Sequence, residues 1–182
     1  MAVTHLQMLA PVATRPVPAP DGVAFRPWEF DAASYRDLFK RVGQDWLWYS
    51  RLLKTDAELA AHFSDPAIHI YTLTKDGRDE AILELDFRTS DACELAYFGL
   101  TSNLIGSGAG RFLMNNAIEL AWAQPIKRFY LHTCNYDSPQ ALGFYLRSGF
   151  VPYGREVEVD DDPRILGTLP ESAAPHVPLI RP

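Results

Sequence analysis

Residues 105 to 110 read Ile-Gly-Ser-Gly-Ala-Gly, three glycines in six positions, just ahead of a segment with helical periodicity. Glycine lets the backbone turn tightly and leaves no Cβ in a ligand's path. The first amides of a helix have no intrahelical acceptor and lie at the positive end of its dipole, so such a loop is suited to cradle a pyrophosphate. Two familiar phosphate loops fit poorly. A P-loop closes on Gly-Lys-Ser/Thr, whereas Arg111 and Phe112 follow Gly110. A dinucleotide loop is spaced Gly-x-Gly-x-x-Gly, whereas these glycines are Gly106, Gly108 and Gly110, and the strand before them comes late in the chain. Other side chains able to do chemistry are Glu94 among apolar neighbours, His132 with an ordinary pKa close to neutrality, the phenol Tyr145, and an aromatic run holding Trp46, Trp48 and Tyr49. Cys93 and Cys134 read as small buried thiols within strands. The five histidines fall in no ligand motif, so no metal is expected.

The elements that must position these groups follow from periodicity. Alternation predicts strands over 23–29, 68–74, 80–87, 93–100, 128–134 and 150–159, and a short edge strand over 3–9. In 80–87, Leu83, Leu85 and Phe87 share one face, and Glu84 and Asp86 the other. Lys75-Asp-Gly-Arg78 is a hairpin turn. Helices are expected over 32–42, with Asp31 as N-cap and Gly43 as stop, and over 55–63, with Thr55 and Glu58 spaced as a capping box. A third runs over 108–124 up to Pro125, and a fourth over 138–148, with Ser138 as N-cap, Pro139 in the first turn and Gly149 past the end. The strand–helix–strand crossover from Glu94 to Cys134 requires a parallel pair inside a mixed sheet. The expected class is therefore α/β, with a mixed, mostly antiparallel sheet and helices on both faces.

The 182 residues fit one domain: a proline-rich extended arm over 1–22, a core over 23–159 and a tail over 160–182. Neither end has much of a core pattern, so each is expected to dock on this domain or on a partner subunit, the latter giving a homodimer. A net charge of −6 without any Lys/Arg cluster argues against a nucleic-acid partner and leans towards a cationic one. No apolar run reaches bilayer length, and the first residues lack the basic-then-apolar order of a signal peptide, so no membrane partner and a cytoplasmic location are expected.

The segments YFGLTSNLIGSGAGRFL and HTCNYDSPQALGFYLRSGF resemble two motifs of the GNAT superfamily of N-acetyltransferases, in order and at the right separation. The first has a strand ending near a Val, then Gln/Arg-x-x-Gly-x-Gly/Ala and a helix. Leu100 takes the Val place, Ile105 the Gln/Arg place, and Gly108 and Gly110 the glycine places. The second, Asn-x-x-Ala-x-x-x-Tyr then Gly-Phe, falls on Ser138, Ala141, Tyr145, Gly149 and Phe150. DWLWYSRLL is similar to the same, bacterial, branch. The chain departs from the pattern at Ile105 and Ser138, which puts phosphate binding on backbone amides and Arg111.

The resemblance implies a GNAT-like fold with a splayed parallel strand pair and acetyl-CoA as co-substrate. It places cofactor contacts on Phe98, Gly99, Leu100, Ile105, Gly106, Ser107, Gly108, Ala109, Gly110, Arg111, Ser138 and Tyr145. Tyr145 takes the general-acid place, Glu94 is the first candidate base and His132 the second. Trp46, Trp48 and His132 would meet an amine acceptor, either a small molecule or a peptide. The resemblance leaves two functions open: an acetyltransferase acting on a primary amine in a ternary complex, or an acyl-CoA-binding module without turnover.

Overall fold

The computed structural model describes residues 1–181. They form strands β1 (Ala2–Met8), β2 (Val23–Pro27), β3 (Ile68–Lys75), β4 (Arg78–Asp79), β5 (Ala81–Asp86), β6 (Ala92–Leu100), β7 (Arg128–Cys134) and β8 (Val151–Val157). The helices are α1 (Ala32–Gly43), α2 (Asp56–Phe63), α3 (Ala109–Trp122) and α4 (Ala141–Arg147). One mixed sheet runs β2-β3-β5-β6-β7-β1-β8, with β4 on β3, and its one parallel contact joins β6 to β7. The expected fold class is the observed one.

Local chemistry explains most boundaries. Asp31 accepts from Ser34 N at 2.8 Å and starts α1, and Thr55 and Glu58 exchange both bonds of the capping box ahead of α2. Asp76 and Gly77 both have positive φ, as a two-residue turn between twisted strands requires. Two expectations are corrected. The first strand lies inside the sheet, not at its edge: β1 pairs with β7 on one side and β8 on the other, and buries Leu6 and Met8. The fourth helix begins at Ala141, three residues after Ser138. Gln140 precedes it, and the Ser138 hydroxyl accepts instead from Gln140 N at 3.4 Å, a local turn that competes with helix start. α1 ends at Gly43 as expected, and the chain continues into a 3₁₀ turn over Gln44–Trp46.

The sheet is covered on both faces. Leu83, Leu85, Cys93, Leu95, Phe129 and Leu131 meet α3, while Ile82 meets Leu38, Phe39 and Val42 of α1. The second face of β5 is therefore buried too, and it carries Glu84, which is fully buried. Glu84 accepts from Arg51 and lies 2.8 Å from His62 Nε2, with the Arg51 guanidinium 5.1 Å from the Tyr97 ring centre. Pairing is what makes a buried carboxylate tolerable. Glu80, also buried, accepts from the Thr101 hydroxyl and from Asn103 Nδ2 at 3.1 Å, and so fixes the turn that leads from β6 into the glycine loop.

Two glycines make room for Trp48. A Cβ on Gly43 would lie 2.4 Å from Trp48 Cβ. One on Gly99 would lie 2.4 Å from Val42 Cγ1 and 3.0 Å from Trp48 Cη2. Gly99→Ala is accordingly expected to cost about 1–3 kcal/mol through overpacking, checked by urea unfolding; unchanged stability would show that α1 moves aside freely.

Both chain ends pack on this same chain. Arg15 O accepts from Asn115 Nδ2 of α3 at 2.6 Å, and Val12 lies against Gly149. In the tail Leu169, Ala173, Ala174 and Val177 bury against Leu47, with Tyr49 and Tyr136 alongside.

Candidate active site

β6 and β7 stay in register only from the pair Ala92 and Arg128 to the pair Glu94 and Tyr130. Near that point β6 carries a bulge. Glu84 faces Tyr97 and Leu85 faces Leu95, so Ala96 is the extra residue and β6 bends where it parts from β7. Beyond it the edge of β6 towards β7 is unpaired. Antiparallel pairing with β5 uses every second residue, so the remaining N–H and C=O groups of 95–100 face the gap.

A cavity of about 690 Å³ opens in this gap and passes through the sheet. Its wall takes Trp48 and Tyr97 from the α1 face and Phe98, Leu100, Phe144 and Tyr145 from the α3 face. The sheet topology thus brings most of the expected residues to one place. Trp46, Trp48, Phe98, Gly99, Leu100 and Ile105 line the cavity, and so do Gly106, Gly108, Gly110, His132, Ser138 and Tyr145. Glu94, Ser107, Ala109 and Arg111 lie off its wall.

The glycine loop is built to receive an anion. Gly106 and Gly108 have φ of +82° and +89°, and a Cβ on either would meet nothing within 4 Å. Among the described residues no group accepts from the amides of Gly106, Gly108, Gly110 or Arg111, whereas Ala109 N is satisfied by the Ser107 hydroxyl at 3.3 Å. The Arg111 side chain is committed elsewhere: it donates to Ser148 Oγ at 2.9 Å and lies 4.9 Å above the Phe144 ring. Arg147, the last residue of α4, lines the cavity instead. The sequence reading missed it because nothing in a short helix shows which of its faces will meet a pocket.

Tyr145 packs edge-on against Phe98, Phe144 and Phe150, with ring centres 6.3, 5.8 and 6.2 Å away. No group of the described residues hydrogen-bonds its hydroxyl, and burial followed by the Asp137 carboxylate pushes its pKa well up, so the phenol keeps its proton across the physiological range. His132 Nδ1 lies 3.7 Å from Glu94 Oε1, and Glu94 is the main cause that raises the imidazole pKa. Glu94 therefore reaches the cavity through His132. With Nδ1 turned to the carboxylate, Nε2 is the nitrogen able to take a proton.

Asp137, also missed, ties the two faces together. It accepts from Thr133 Oγ1 at 2.6 Å, Cys134 N at 2.9 Å and Trp48 Nε1 at 3.4 Å. Of the two thiols Cys93 is buried as expected, while Cys134 is half-buried on the cavity wall. Among the described residues no cluster of three or more His, Cys, Asp or Glu could hold a metal ion, and no helix is long and apolar enough to cross a membrane.

Solved structures share this architecture. A GCN5-related N-acetyltransferase from Sphaerobacter thermophilus superposes with a TM-score of 0.66 at 12% identity, over 85% of this chain and 49% of that one. A GNAT-family acetyltransferase from Novosphingobium aromaticivorans gives 0.58 at 18% identity, over 85% and 62%. The ribosomal-protein-S18-alanine N-acetyltransferase of Escherichia coli gives 0.59 at 15% identity, over 72% and 79%. This chain spans about half the length of the Sphaerobacter protein and of a tandem GNAT protein from clavulanic acid biosynthesis. No curated protein matches it. At such identities the superpositions speak for the fold alone. The sequence model of the acetyltransferase (GNAT) family, however, matches residues 26–150, which take in the glycine loop, the diverging strands and Tyr145. The chain belongs to the GNAT acetyltransferase family.

Proposed function

We propose that this protein transfers the acetyl group of acetyl-CoA to a primary amine by direct attack within a ternary complex. The observation that carries the reading is the cavity itself. One passage through the sheet joins open loop amides on the α3 face to His132, Trp46 and Trp48, with Tyr145 on its wall. The loop fits a pyrophosphate: its free amides and the nearby Arg147 offer donors and positive charge, and its glycines leave the approach clear. Bound there, acetyl-CoA supplies an activated thioester carbonyl and a sulfur leaving group.

The chain's own groups supply the rest. A lysine-like amine is almost wholly protonated near neutrality, with a pKa of about 10.4, so its proton must be removed before attack. His132 Nε2 takes that proton, directly or through water, and Glu94 stabilises the charged imidazole that results. The unpaired edge of β6, at Phe98 and Leu100, offers backbone N–H to the carbonyl oxygen as it gains charge, since Gly99 faces Ile82 in a hydrogen-bonded pair with β5, and one such donor contributes about 3 kcal/mol in comparable sites. Tyr145 offers its hydroxyl proton to the departing sulfur as that atom gains charge.

The pH profile carries a sign. A base works when neutral, so kcat/KM is expected to rise with pH through the His132 pKa, on a limb above the ordinary value of about 6.5. Glu94→Gln removes the main cause of the raised value and is expected to move that limb to lower pH; an unmoved limb would exclude the pair as the base. The reading as a whole is tested by steady-state release of CoA thiol over a panel of primary amines. Turnover with some amines supports it, and acetyl-CoA binding without turnover on any would mark a binding module.

A further inference from the structure

The two faces of the cavity differ in charge. On the α3 face the wall carries Arg147, with Arg111 close by over Phe144. On the side of residues 46–50 it carries Glu158, Asp160 and Asp161 from the segment after β8. None of these three carboxylates has a cationic side chain within 4.0 Å among the described residues, although Arg164, Arg155 and Arg181 are near in sequence; the ammonium of Met1, which lines the same cavity, donates to the backbone carbonyl of Glu158. All three act on one cavity-lining aromatic ring, since after burial they are the causes that raise the Tyr49 phenol pKa.

The segment is held at its start by Met1, whose carbonyl accepts from Glu158 N at 2.9 Å, and beyond that by one buried side chain, Arg164. The Arg164 side chain is 1% exposed and stays close to its own turn through Asp162, at 3.0 and 2.7 Å. Its Nη1 donates to the carbonyls of Ala173 at 3.1 Å, Ala174 at 3.4 Å and Val177 at 2.9 Å, and Nη2 reaches Pro178 O at 3.4 Å. A guanidinium that spans this many carbonyls closes residues 162–178 into a compact cap. The cap's apolar side, at Leu169, Ala173, Ala174 and Val177, packs on Leu47 between Trp46 and Trp48. The acidic stretch is thus fixed against the aromatic loop.

We propose that residues 158–163, latched by Arg164, form the acceptor-side wall of the cavity and select amines that carry a second positive charge. The inference rests on the acetyl-transfer reading above. An acceptor must lose one proton to react, and a second ammonium remote from the reacting nitrogen keeps its charge. Glu158, Asp160 and Asp161 offer that ammonium counter-charges, and Trp46 and Tyr49 offer aromatic faces. Arg164 is a positioning residue in this scheme, because it acts only through the wall it holds.

The test compares a linear diamine with the monoamine of equal chain length. Acetyl-CoA affinity is first measured by calorimetry, and its loss would overturn the acetyl-transfer reading, separately from this one. With wild type, kcat/KM for the diamine is expected to exceed that for the monoamine by about tenfold, mainly through KM, with a gap that narrows as salt rises. The Glu158→Gln, Asp160→Asn, Asp161→Asn triple variant is expected to lose that preference while keeping its acetyl-CoA affinity. Arg164→Ala is expected to raise the diamine KM likewise, and if it fails to fold the triple variant decides alone. Equal use of both amines by wild type, or a preference retained in the triple variant, would overturn the proposal. If no amine is turned over, titration of each into the CoA complex decides. Tighter diamine binding that is lost in the triple variant sustains the wall, and no such difference overturns it.

Discussion

Tyr145→Phe is expected to lower kcat by about 100-fold, or about 2.7 kcal/mol of transition-state stabilisation, with acetyl-CoA affinity within about twofold of wild type. The substitution removes one oxygen and keeps the ring, so the packing against Phe98, Phe144 and Phe150 survives. The hydroxyl has no hydrogen-bond partner among the described residues, so nothing in the fold depends on it. Its raised pKa keeps the phenol protonated as the sulfur departs but opposes full transfer to a thiolate of pKa about 8.5, so the hydroxyl acts chiefly as a hydrogen-bond donor to the charge developing on sulfur. A proton donor used only as the bond to sulfur breaks should affect kcat and kcat/KM alike. A variant with unchanged kcat would leave Tyr145 as a packing residue. One that lost acetyl-CoA affinity instead would make it a contact for the bound ligand.

Gly108→Val is expected to weaken acetyl-CoA binding by at least about tenfold and to lower the melting temperature by only a few degrees. Two effects act there. The φ of +89° strains any side-chain-bearing residue, by about 1–2 kcal/mol. The new Cβ also projects into space that no atom of the chain occupies, which is the space the ligand needs. Gly77 separates the two effects, because it has a φ of +75° and equally open surroundings but lies in the β3–β4 turn, off the cavity wall. Gly77→Val should therefore reproduce the stability loss without the binding loss. If both variants bound acetyl-CoA as wild type does, the loop would not be the cradle.

What the sequence revealed was what short-range chemistry decides. The Asp31 cap, the Thr55 and Glu58 capping box, the Asp76-Gly77 turn and the strand over Arg128–Cys134 need only neighbours in the chain, and each was legible. The glycine loop was legible because its backbone needs are written in residue type. Long-range choices were not. Alternation over residues 3–9 says that one face is buried, but not that both edges find partners, so the interior place of β1 was invisible. Glu84 looked like an ordinary polar position in an alternating strand. Its partners Arg51 and His62 come from elsewhere in the chain, and burial follows from their arrival. Arg147 on the cavity wall in place of Arg111, Asp137 bonded to Trp48 and the cap built round Arg164 each depend on how separate elements meet. The tail, which lacks a hydrophobic period, is held by carbonyls around one guanidinium, a pattern that leaves no periodic trace.

The most direct test of the central claim, that the glycine loop and the gap between β6 and β7 form an acetyl-CoA site, is the melting temperature with and without acetyl-CoA, using NAD and ATP as controls. Ligand at about a hundred times its dissociation constant adds about 2.7 kcal/mol, a rise of about 5–10 °C for a chain of this size. The account requires that rise with acetyl-CoA and none with the controls. No rise, or a rise only with a control nucleotide, would contradict it.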